Sequence, residues 1–403
     1  MMHSSALELD HSQDPLSHVI SLAYSRSTNS TGDTKACLYI QNQLKSVGIE
    51  SRYEYFSFDT PFRILMRLIY LITLTYLVFY RLLLIIAFYF AVKYLFATTR
   101  NFSLTRKEES KNLIATIPAE RKRRKRPVAI ISAHYDSFSA NLPYRLQNVA
   151  FFLFRIIIFP YFIITMSFSI IILTEPAVPI LSEFNLGELI ITSSLFEFAI
   201  VLIIFLLIYD TQKSKGAIDN ASGVAVLIEL AKLIKKYQIE NYDVILLFPG
   251  TEEWGLIGSK RYVKRNHKYL SENYDLDRSF NINIDMVGSY VGMIQKRSLF
   301  RKHRHRHEKH KVPLNDIIDE VSSDLNIEYT KDLHFITPKT DHKSFNKLAS
   351  KTKSKFQVVC FHSDKDSKYI HSRLDTPDKC SSEVLSNAIS LIFNTLKTVD
   401  SII

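Results

Sequence analysis

The sequence predicts an α/β protein in which an open sheet carries a polar site and long apolar segments are inserted between parts of the sheet. Two observations predict the sheet: short β-rich runs alternate with helical patterns, and a carboxylate or an imidazole stands where several of these runs stop. Open α/β sheets place their functional side chains at such strand ends. The third observation is that hydrophobic residues, 47% of the 403 residues, are concentrated in a few long runs. Such runs favour insertion into a membrane.

The N-terminal part is predicted to contribute one helix and one strand. Residues 31–34 have the composition of a helix start, and residues 36–47 place apolar side chains at helical spacing up to the stop signal Gly48. Residues 49–58 then alternate between apolar and polar side chains, as a strand does. Because residues 1–16 are polar, we expect no signal peptide at the start of this sequence.

Five more strands and four more helices are predicted along the rest of the chain. The strands are expected at residues 112–119, 127–133, 243–248, 281–286 and 356–362, and the helices at residues 219–237, 256–266, 313–325 and 381–403. Six consecutive cations, residues 121–126, join the first two of these strands. Between strands, such a run is typical of a solvated turn that contacts at most anionic lipid headgroups. We therefore expect no nucleic-acid partner, although the net charge is +11.

The candidate chemistry lies in carboxylates and imidazoles, with no thiolate among them. These side chains occur in residues 132–137, 218–224 and 251–255 and at Asp285 and His371. Such a set of ligand types suits Zn²⁺. Five candidate ligands are too many for one catalytic zinc ion, but two ions about 3.5–4 Å apart that share one carboxylate would use all five.

Two details of the sequence divide the roles within this set. Asp219 is the best bridging ligand, because it lies in a turn between Gly216 and Gly223 that opens a helix and lets two ions approach the backbone. Of the acidic pair Glu252 and Glu253, one carboxylate is expected to bind metal while its neighbour takes a proton from water.

Five motifs in a fixed order support this reading. They are His134-Tyr135-Asp136, the run from Gly216 to Gly223, the run from Glu252 to Ser259, the run from Thr340 to Phe345, and the run from His371 to Asp378. In sequence and order these motifs resemble those of the co-catalytic dizinc exopeptidases, which include bacterial leucyl-type aminopeptidases and glutamate carboxypeptidases. The resemblance implies a three-layer α/β/α sandwich around a mixed sheet.

The resemblance also implies roles for individual residues. It implies zinc ligation by His134, Asp219, Glu253, Asp285 and His371, with Asp219 bridging; it gives Glu252 as general base, Asp136 as the partner that orients His134, and Asp341 and His342 as pocket or supporting residues. Several aminopeptidases of the family carry a tyrosine immediately before the last histidine, whereas this chain has Ile370 there. The nearest tyrosine, Tyr369, is a candidate for the transition-state or pocket role.

The function implied by the resemblance is that of a metallo-exopeptidase acting on peptides, most simply an aminopeptidase; the apolar runs predict that it is a membrane protein. Water activated by two Zn²⁺ would attack the peptide carbonyl, and Glu252 would pass the proton to the leaving amine. Three alternatives stay open: a carboxypeptidase, a glutaminyl cyclase that uses one zinc ion, and a non-catalytic membrane receptor or scaffold. The presence of both His134 and Asp285 argues against the cyclase, and the complete ligand set argues against the scaffold.

The apolar runs predict two membrane insertions. Residues 62–98 are long enough for a tight helical hairpin or for a helix pair lying in the interface, and residues 149–173 and 189–209 each have spanning length. The connection at residues 174–188 contains no Lys or Arg, whereas cations flank the inner ends of both insertions. By the positive-inside rule the catalytic domain faces the cytoplasm of a multi-pass membrane protein, with membrane lipid as a partner.

The predicted organisation is therefore one peptidase domain interrupted twice. Residues 1–60, 102–141 and 213–403 form the peptidase domain, and residues 61–101 and 142–212 form the membrane insertions. The histidine-rich tract at residues 301–311 is predicted to be a solvated loop, and Arg155 and Glu197 are predicted to have structural or interfacial roles within the second insertion. The three cysteines are expected to be free thiols, and the sequence leaves the oligomeric state open.

Overall fold

A computed structural model of the chain describes residues 14–58, 108–121, 125–142, 210–296, 313–335 and 337–403, with a few isolated positions between 146 and 199. The chain divides into two compact units: Met1–Phe56 with Glu109–Ser139 and Asp210–Ile403, and Ser57–Glu108 with Ala140–Tyr209. The first membrane insertion, nearly all of the second, Arg155, Glu197, residues 122–124 and the histidine-rich tract lie outside the described residues.

Within the described ranges, no helix combines the length and the apolar character needed to cross a membrane. The predicted spans fall outside those ranges, so the membrane insertions stay predictions.

The first unit contains seven helices and eight strands among its described residues. The helices are α1 (Pro15–Leu22), α2 (Thr31–Ser46), α3 (Gly223–Tyr237), α4 (Ile257–Asn273), α5 (Leu314–Asp324), α6 (His342–Thr352) and α7 (Ser382–Ile402). The strands are β1 (Ser51–Phe58), β2 (Glu108–Ile117), β3 (Val128–Ser132), β4 (Asp243–Phe248), β5 (Phe280–Ile284), β6 (Gly292–Lys296), β7 (Thr330–His334) and β8 (Gln357–Phe361), of which the last two residues of β1 and the first of β2 fall in the second unit.

The described strands form one mixed sheet in the order β1-β2-β4-β3-β5-β8-β6-β7. Its centre is parallel: β3 pairs in parallel with both β4 and β5, and β5 pairs in parallel with β8. On either side the direction reverses, since β2 runs antiparallel to β4 and β6 runs antiparallel to β8. The loops after β3, β4, β5 and β8 therefore leave the same edge of the sheet, and this edge holds the candidate site.

Helices cover both faces of the central strands. Every residue of β3, β4 and β5 is buried, as expected for parallel strands packed on both sides. On one face, Ile130 and Leu247 pack in a cluster with Tyr262 of α4 and Phe345 of α6. Helix α3 also lies against β4 and β5. The mixed α/β sheet predicted from the sequence is confirmed.

The predicted helix starts follow from local capping. The Ser30 hydroxyl accepts a hydrogen bond from the Asp33 amide at the start of α2, and the Ser381 hydroxyl accepts one from the Val384 amide at the start of α7. Helix α4 extends to Asn273, beyond the predicted end at residue 266. Helices α1 and α6 and strands β6 and β7 were not predicted. The three cysteines, Cys37, Cys360 and Cys380, are buried free thiols, as predicted.

Asp33, in the first turn of α2, is expected to make the stability of the protein depend on pH. The side chain is buried and its Oδ1 has no hydrogen-bond partner. Burial, assisted by the charge of Asp136, raises the pKa of Asp33 from 3.8 to about 7. Between pH 4 and 7 the folded protein therefore keeps a proton that the unfolded chain has lost, so this group lowers stability as pH rises through that window.

Asp33→Asn is expected to raise the melting temperature at pH 8, by an amount corresponding to about 1–4 kcal/mol, and to change it little at pH 4. Thermal unfolding of wild type and variant at both pH values measures this difference. Asp378→Asn serves as a control, because the Asp378 side chain is 64% exposed. Equal effects of Asp33→Asn at both pH values would contradict the assignment.

Candidate metal centre

The predicted ligands converge at the carboxyl edge of the parallel strands. His134 and Asp136 follow β3, Glu252 and Glu253 follow β4, and Asp285 follows β5 directly. His371 lies in the longer segment after β8, and Asp219 lies in the turn Ala217–Ser222 that leads into α3. The peptide bond between Asp219 and Asn220 is cis.

A first group of potential metal ligands contains His134, Asp219 and Asp285. The His134 Nε2 atom lies 3.1 Å from Asp219 Oδ1 and 3.6 Å from Asp285 Oδ1. One ligand atom from each of the three residues lies within 4.8 Å of the others. The three atoms are thus close enough to bind one ion together.

A second group shares Asp219 with the first. The His371 Nε2 atom lies 3.3 Å from Asp219 Oδ2 and 3.0 Å from Glu253 Oε2. These ligand atoms also lie within 4.8 Å of one another. The two carboxylate oxygens of Asp219 therefore face different groups, so this residue is shared between them.

The chemistry of both groups fits bound cations. Their five side chains are only 2–16% exposed, and the buried atoms Asp219 Oδ1 and Glu253 Oε1 accept no hydrogen bond. Burial, together with the charge of Asp219, raises the pKa of Glu253 to about 7 against the opposing charge of His371. Buried carboxylates crowded in this way need positive charge, and imidazole–carboxylate sets are typical of zinc.

The two imidazoles are stabilised in their protonated form by the surrounding carboxylates. Burial lowers the pKa of His371, but the carboxylates of Glu253 and Asp219 outweigh it and raise the pKa to about 10. The pKa of His134 is likewise raised, because Glu252, Asp136, Asp219 and Asp285 outweigh its burial. Without a cation, protons on these rings balance the carboxylates, so metal binding would release protons.

Asp136 connects the two halves of the site. Its Oδ1 lies 3.5 Å from His134 Nδ1, on the side of the ring opposite the first ligand group. Its two carboxylate oxygens also accept hydrogen bonds from the backbone amides of Glu252 (3.0 Å) and Glu253 (3.2 Å). One carboxylate therefore faces the ring of His134 and binds the backbone of both members of the acidic pair. The orienting role predicted from the sequence stays a prediction.

Asp375 holds the turn that contains Asp219. Its carboxylate accepts hydrogen bonds from the amides of Ile218 (2.6 Å) and Asp219 (3.4 Å). Burial, followed by the charge of Asp219, raises the pKa of Asp375 to about 7. Asp375 lies in the last of the five motifs, and this position was the one sign in the sequence that it supports the site.

Asn220 connects the same turn to the strand that precedes Asp285. Its Nδ2 donates to the carbonyl of Ile284 (2.9 Å), and its Oδ1 accepts from the amides of Gly223 (3.0 Å) and Met286 (3.1 Å). A side chain at Gly223 would collide with Ile284 O and with Asn220. The close packing of Asp219 against the Asp285 loop therefore requires this glycine.

Arg26 is a fully buried residue that the sequence analysis missed. Its guanidinium donates to the carbonyls of Tyr135 (2.8 Å), Lys215 (2.9 Å) and Gly216 (2.7 Å). Its backbone exchanges hydrogen bonds with Ser137, whose hydroxyl accepts at 2.9 Å and whose amide donates at 3.3 Å. Arg26 thus ties the loop that carries His134 to the start of the turn that carries Asp219.

The charge of Arg26 also offsets acidic groups of the site. Burial lowers the pKa of Arg26, whereas the carboxylates of Asp375, Asp136 and Asp219 raise it. No motif signals this residue, because its partners are backbone carbonyls from two distant segments.

Arg26→Gln is expected to lower the free energy of unfolding by about 3–5 kcal/mol, because several buried carbonyls lose a charged donor. It is also expected to weaken zinc retention during dialysis. The matched control is Arg121→Gln: Arg121 pairs with Glu240, both side chains are about half exposed, and the expected change is within about 0.5 kcal/mol. Chemical unfolding and zinc analysis measure both variants. Equal stabilities would contradict the role assigned to Arg26.

Glu252 and Asp341 are buried acids next to the ligand groups. The pKa of Glu252 is raised well above its usual value by burial and by the charges of Asp341, Asp285 and Glu253, against the opposing charge of His134. Burial also raises the pKa of Asp341 to about 7. Both oxygens of Asp341 are buried without a hydrogen-bond partner. A carboxyl group with a raised pKa is suited to accept and release a proton during catalysis.

The remaining predicted site residues have different surroundings. The His342 Nδ1 atom forms a hydrogen bond with Thr340 Oγ1, and burial lowers the pKa of His342 to about 4. The Tyr369 ring is contacted by the ammonium groups of Lys368 and Lys379, at 4.8 and 5.6 Å from its centroid. The role of Tyr369 in the transition state stays a prediction.

An aromatic wall borders the second ligand group. The ring of Phe138 packs edge-to-face against Trp254, with centroids 5.5 Å apart, and against His371, with centroids 5.2 Å apart. Trp254 follows Glu253 directly in the sequence. The Phe138 ring that contacts His371 therefore also contacts the loop that carries the acidic pair.

The mixed sheet and the two ligand groups sharing one aspartate define an α/β protein with the site architecture of a metallopeptidase. Residues 207–396 match the sequence profile of peptidase family M28, and the family resemblance drawn from the motifs is confirmed. Asp219, the acidic pair, Asp285 and His371 lie within the matched residues, whereas His134 and Asp136 precede them.

Curated relatives share short stretches with the chain. Aminopeptidase YwaD of Bacillus subtilis is 43% identical over 83 residues, which are 20% of this chain and 17% of the relative. A probable zinc metalloprotease of Pyrenophora tritici-repentis is 39% identical over 90 residues, 20% of this chain and 19% of the relative. The chain thus matches less than a fifth of the length of either relative.

Solved structures have a similar fold. An aminopeptidase from Aneurinibacillus sp. strain AM-1 superposes with a TM-score of 0.54 at 16% identity, covering 96% of this chain and 93% of that one. A glutaminyl cyclase from Fimbriiglobus ruber superposes with a TM-score of 0.53 at 13% identity, covering 97% and 96%. The zinc aminopeptidase-like fold expected from the motifs is confirmed.

Proposed function

We propose that the protein is a zinc-dependent exopeptidase that binds two Zn²⁺ and removes residues from the N-terminus of peptides. The observation that carries the proposal is the pair of ligand groups bridged by Asp219, with Glu252 held beside them. His134, Asp219 and Asp285 would hold one ion, and Asp219, Glu253 and His371 the other. Bound zinc supplies Lewis acidity to the scissile carbonyl and acidifies the attacking water.

The chain's own residues would handle the proton. Glu252 accepts it from the attacking water and passes it to the leaving amine. Asp136 accepts a 3.0 Å hydrogen bond from the backbone amide of Glu252. This bond fixes the backbone that presents the Glu252 carboxylate to the ligand groups. Arg26 and Asp375 hold the two loops that present His134 and Asp219.

The test compares substrates that differ only at the terminus. Purified full-length protein is incubated with leucine p-nitroanilide and with the N-acetylated form, with and without a zinc chelator. The proposal predicts release from the free amine alone, loss on chelation and recovery with zinc. Activity that survives chelation would contradict zinc dependence. Cleavage only of N-blocked peptides with a free C-terminus would identify a carboxypeptidase instead.

A glutaminyl cyclase is the second candidate, because solved cyclases share the fold. The same preparation, incubated with a peptide that begins with glutamine, distinguishes the two: cyclisation forms a ring without shortening the peptide. Since both ligand groups are complete, we expect hydrolysis rather than cyclisation.

We also propose that the protein is a multi-pass membrane protein with its catalytic domain on the cytoplasmic side. The apolar runs of residues 62–98, 149–173 and 189–209 and the distribution of cations around them support this location. Ser182→Cys, in the connection between two predicted spans, should react with an impermeant thiol reagent added to intact cells. Ser350→Cys, exposed on α6, should not react. The native cysteines are buried, so they add little background. The opposite labelling pattern would reverse the orientation.

A further inference from the structure

Four lysines gather near the loop that carries the general base. Lys260 lies in the first turn of α4, Lys339 precedes α6, and Lys343 and Lys347 lie one turn apart on α6. We refer to them as the lysine cluster. Helices α4 and α6 meet near their N-terminal ends through the hydrogen bond from Ser259 Oγ to Ser344 Oγ (2.8 Å), which brings these segments together.

The lysine cluster contacts the loop that carries Glu252 at Gly255. The Glu252 carbonyl accepts hydrogen bonds from the amides of Gly255 (2.7 Å) and Leu256 (2.6 Å), which closes a tight turn. The Lys260 ammonium donates to the Gly255 carbonyl at 2.7 Å. A Cβ atom at Gly255 would lie 3.4 Å from Lys339 Nζ, and the φ angle of this glycine is +109°. Two ammonium groups thus border the turn that begins at Glu252.

The cluster has no carboxylate partner among the residues that the structure describes. Within the described ranges no carboxylate forms an ion pair with any of its four lysines, and Lys343 donates to the Thr337 carbonyl instead, at 2.8 Å. Burial and then the charges of Lys339 and Lys347 lower the pKa of Lys260, whereas Glu252 and Asp341 raise it. These ammonium groups are therefore close enough to repel one another and to interact with the acids of the site, which is unfavourable unless an anion joins them.

We propose that the lysine cluster binds a carboxylate of the substrate and so gives the site a preference for acidic peptides. This carboxylate is an acidic side chain or the free C-terminus of a dipeptide, because both present the same group. The proposal rests on the proposed function for the position of the peptide. A peptide bound with its scissile bond near Glu252 has its neighbouring residues within reach of the turn that Lys260 and Lys339 border.

The test uses three substrates of equal length: leucyl-glutamine amide, leucyl-glutamate amide and leucyl-glutamine with a free C-terminus. The first carries no carboxylate and is called the neutral substrate for that reason, and each of the others carries one carboxylate at a different place. In the wild type we expect a lower KM for at least one acidic substrate than for the neutral one, and the substrate that shows it identifies the source of the carboxylate. Rising salt should reduce the difference.

Lys339→Gln and Lys260→Gln should each raise the KM for that acidic substrate, relative to the KM for the neutral one in the same variant, by about 2- to 5-fold, and the double variant should raise this ratio by about tenfold. Lys351→Gln, an exposed position one turn beyond Lys347 on the same helix, is the control and should change nothing. Equal KM values for acidic and neutral substrates in the wild type, or equal effects of Lys339→Gln and Lys351→Gln, would overturn the proposal.

A binding measurement separates this proposal from the proposed function. Glu252→Gln protein loaded with zinc is titrated calorimetrically with the same three dipeptides, so no turnover is needed. Tighter binding of an acidic dipeptide that is lost in Lys339→Gln supports the cluster even if hydrolysis is absent. Hydrolysis of the neutral substrate without any preference for an acidic one would support the proposed exopeptidase function and contradict the proposed role of the lysine cluster.

Discussion

Glu252→Gln is expected to reduce kcat by about 10²–10⁴-fold while the protein keeps its zinc. The amide cannot take a proton from water, whereas the ligand atoms that the two groups contribute remain in place. The Asp136 carboxylate accepts from the backbone of residue 252, so the loop keeps its anchor in the variant. Steady-state hydrolysis of leucine p-nitroanilide and metal analysis of the same preparation measure both quantities.

The neighbouring residue supplies the matched control. Glu253→Gln changes the same functional group one position later, but Glu253 lies 3.0 Å from His371 within the second ligand group. We therefore expect Glu253→Gln to lose zinc as well as activity. A fully active Glu252→Gln protein would remove Glu252 as general base, and identical zinc losses in both variants would contradict the division of roles.

Asp219→Asn is expected to lower activity by about 10³-fold or more and to reduce the zinc content from about two ions per chain to fewer than one. The reason is that Asp219 belongs to both ligand groups, with Oδ1 facing one and Oδ2 facing the other. Zinc ions supply several kcal/mol of transition-state stabilisation, and each 1.36 kcal/mol corresponds to tenfold in rate. Metal analysis after dialysis, together with hydrolysis rates, measures the effect.

Two further aspartate variants are compared with Asp219→Asn. Asp285→Asn alters the first ligand group alone and should retain about one zinc ion per chain. Asp378→Asn alters an exposed aspartate outside both groups and should behave as the wild type. If Asp219→Asn lost no more zinc than Asp285→Asn, Asp219 would not bridge the groups.

The sequence was most informative where an acidic residue directly follows a predicted strand. Asp285 directly follows the buried strand β5, and the acidic pair follows β4, which is parallel to β5 and separated from it by β3. The rule for open sheets therefore anticipated that these side chains would converge. The same rule cannot reach Arg26, whose partners are the backbone carbonyls of Tyr135 and Gly216 rather than side chains with a pattern.

The elements that were missed differ in how much amphipathic signal their sequences carry. Strand β7 (Thr330–His334) is a polar edge strand with no fully buried residue, so its sequence lacks the alternation by which strands are recognised. Helix α1 is only eight residues long, but its buried residues Pro15, His18, Val19 and Leu22 recur at helical spacing after the capping Asp14, so its sequence did carry a helix signal. The lysine cluster was also unpredictable, because Lys260 and the segment 339–347 are brought together only by the packing of α4 against α6.

The central claim is that two zinc ions, joined through Asp219, are needed for activity. Its most direct test is a zinc titration of metal-depleted, detergent-purified full-length protein, with hydrolysis of leucine p-nitroanilide measured after each addition. The account predicts that activity rises until about two zinc ions are bound per chain and that both ions are lost in Asp219→Asn. Full activity at one ion per chain, or hydrolysis without any bound zinc, would contradict it.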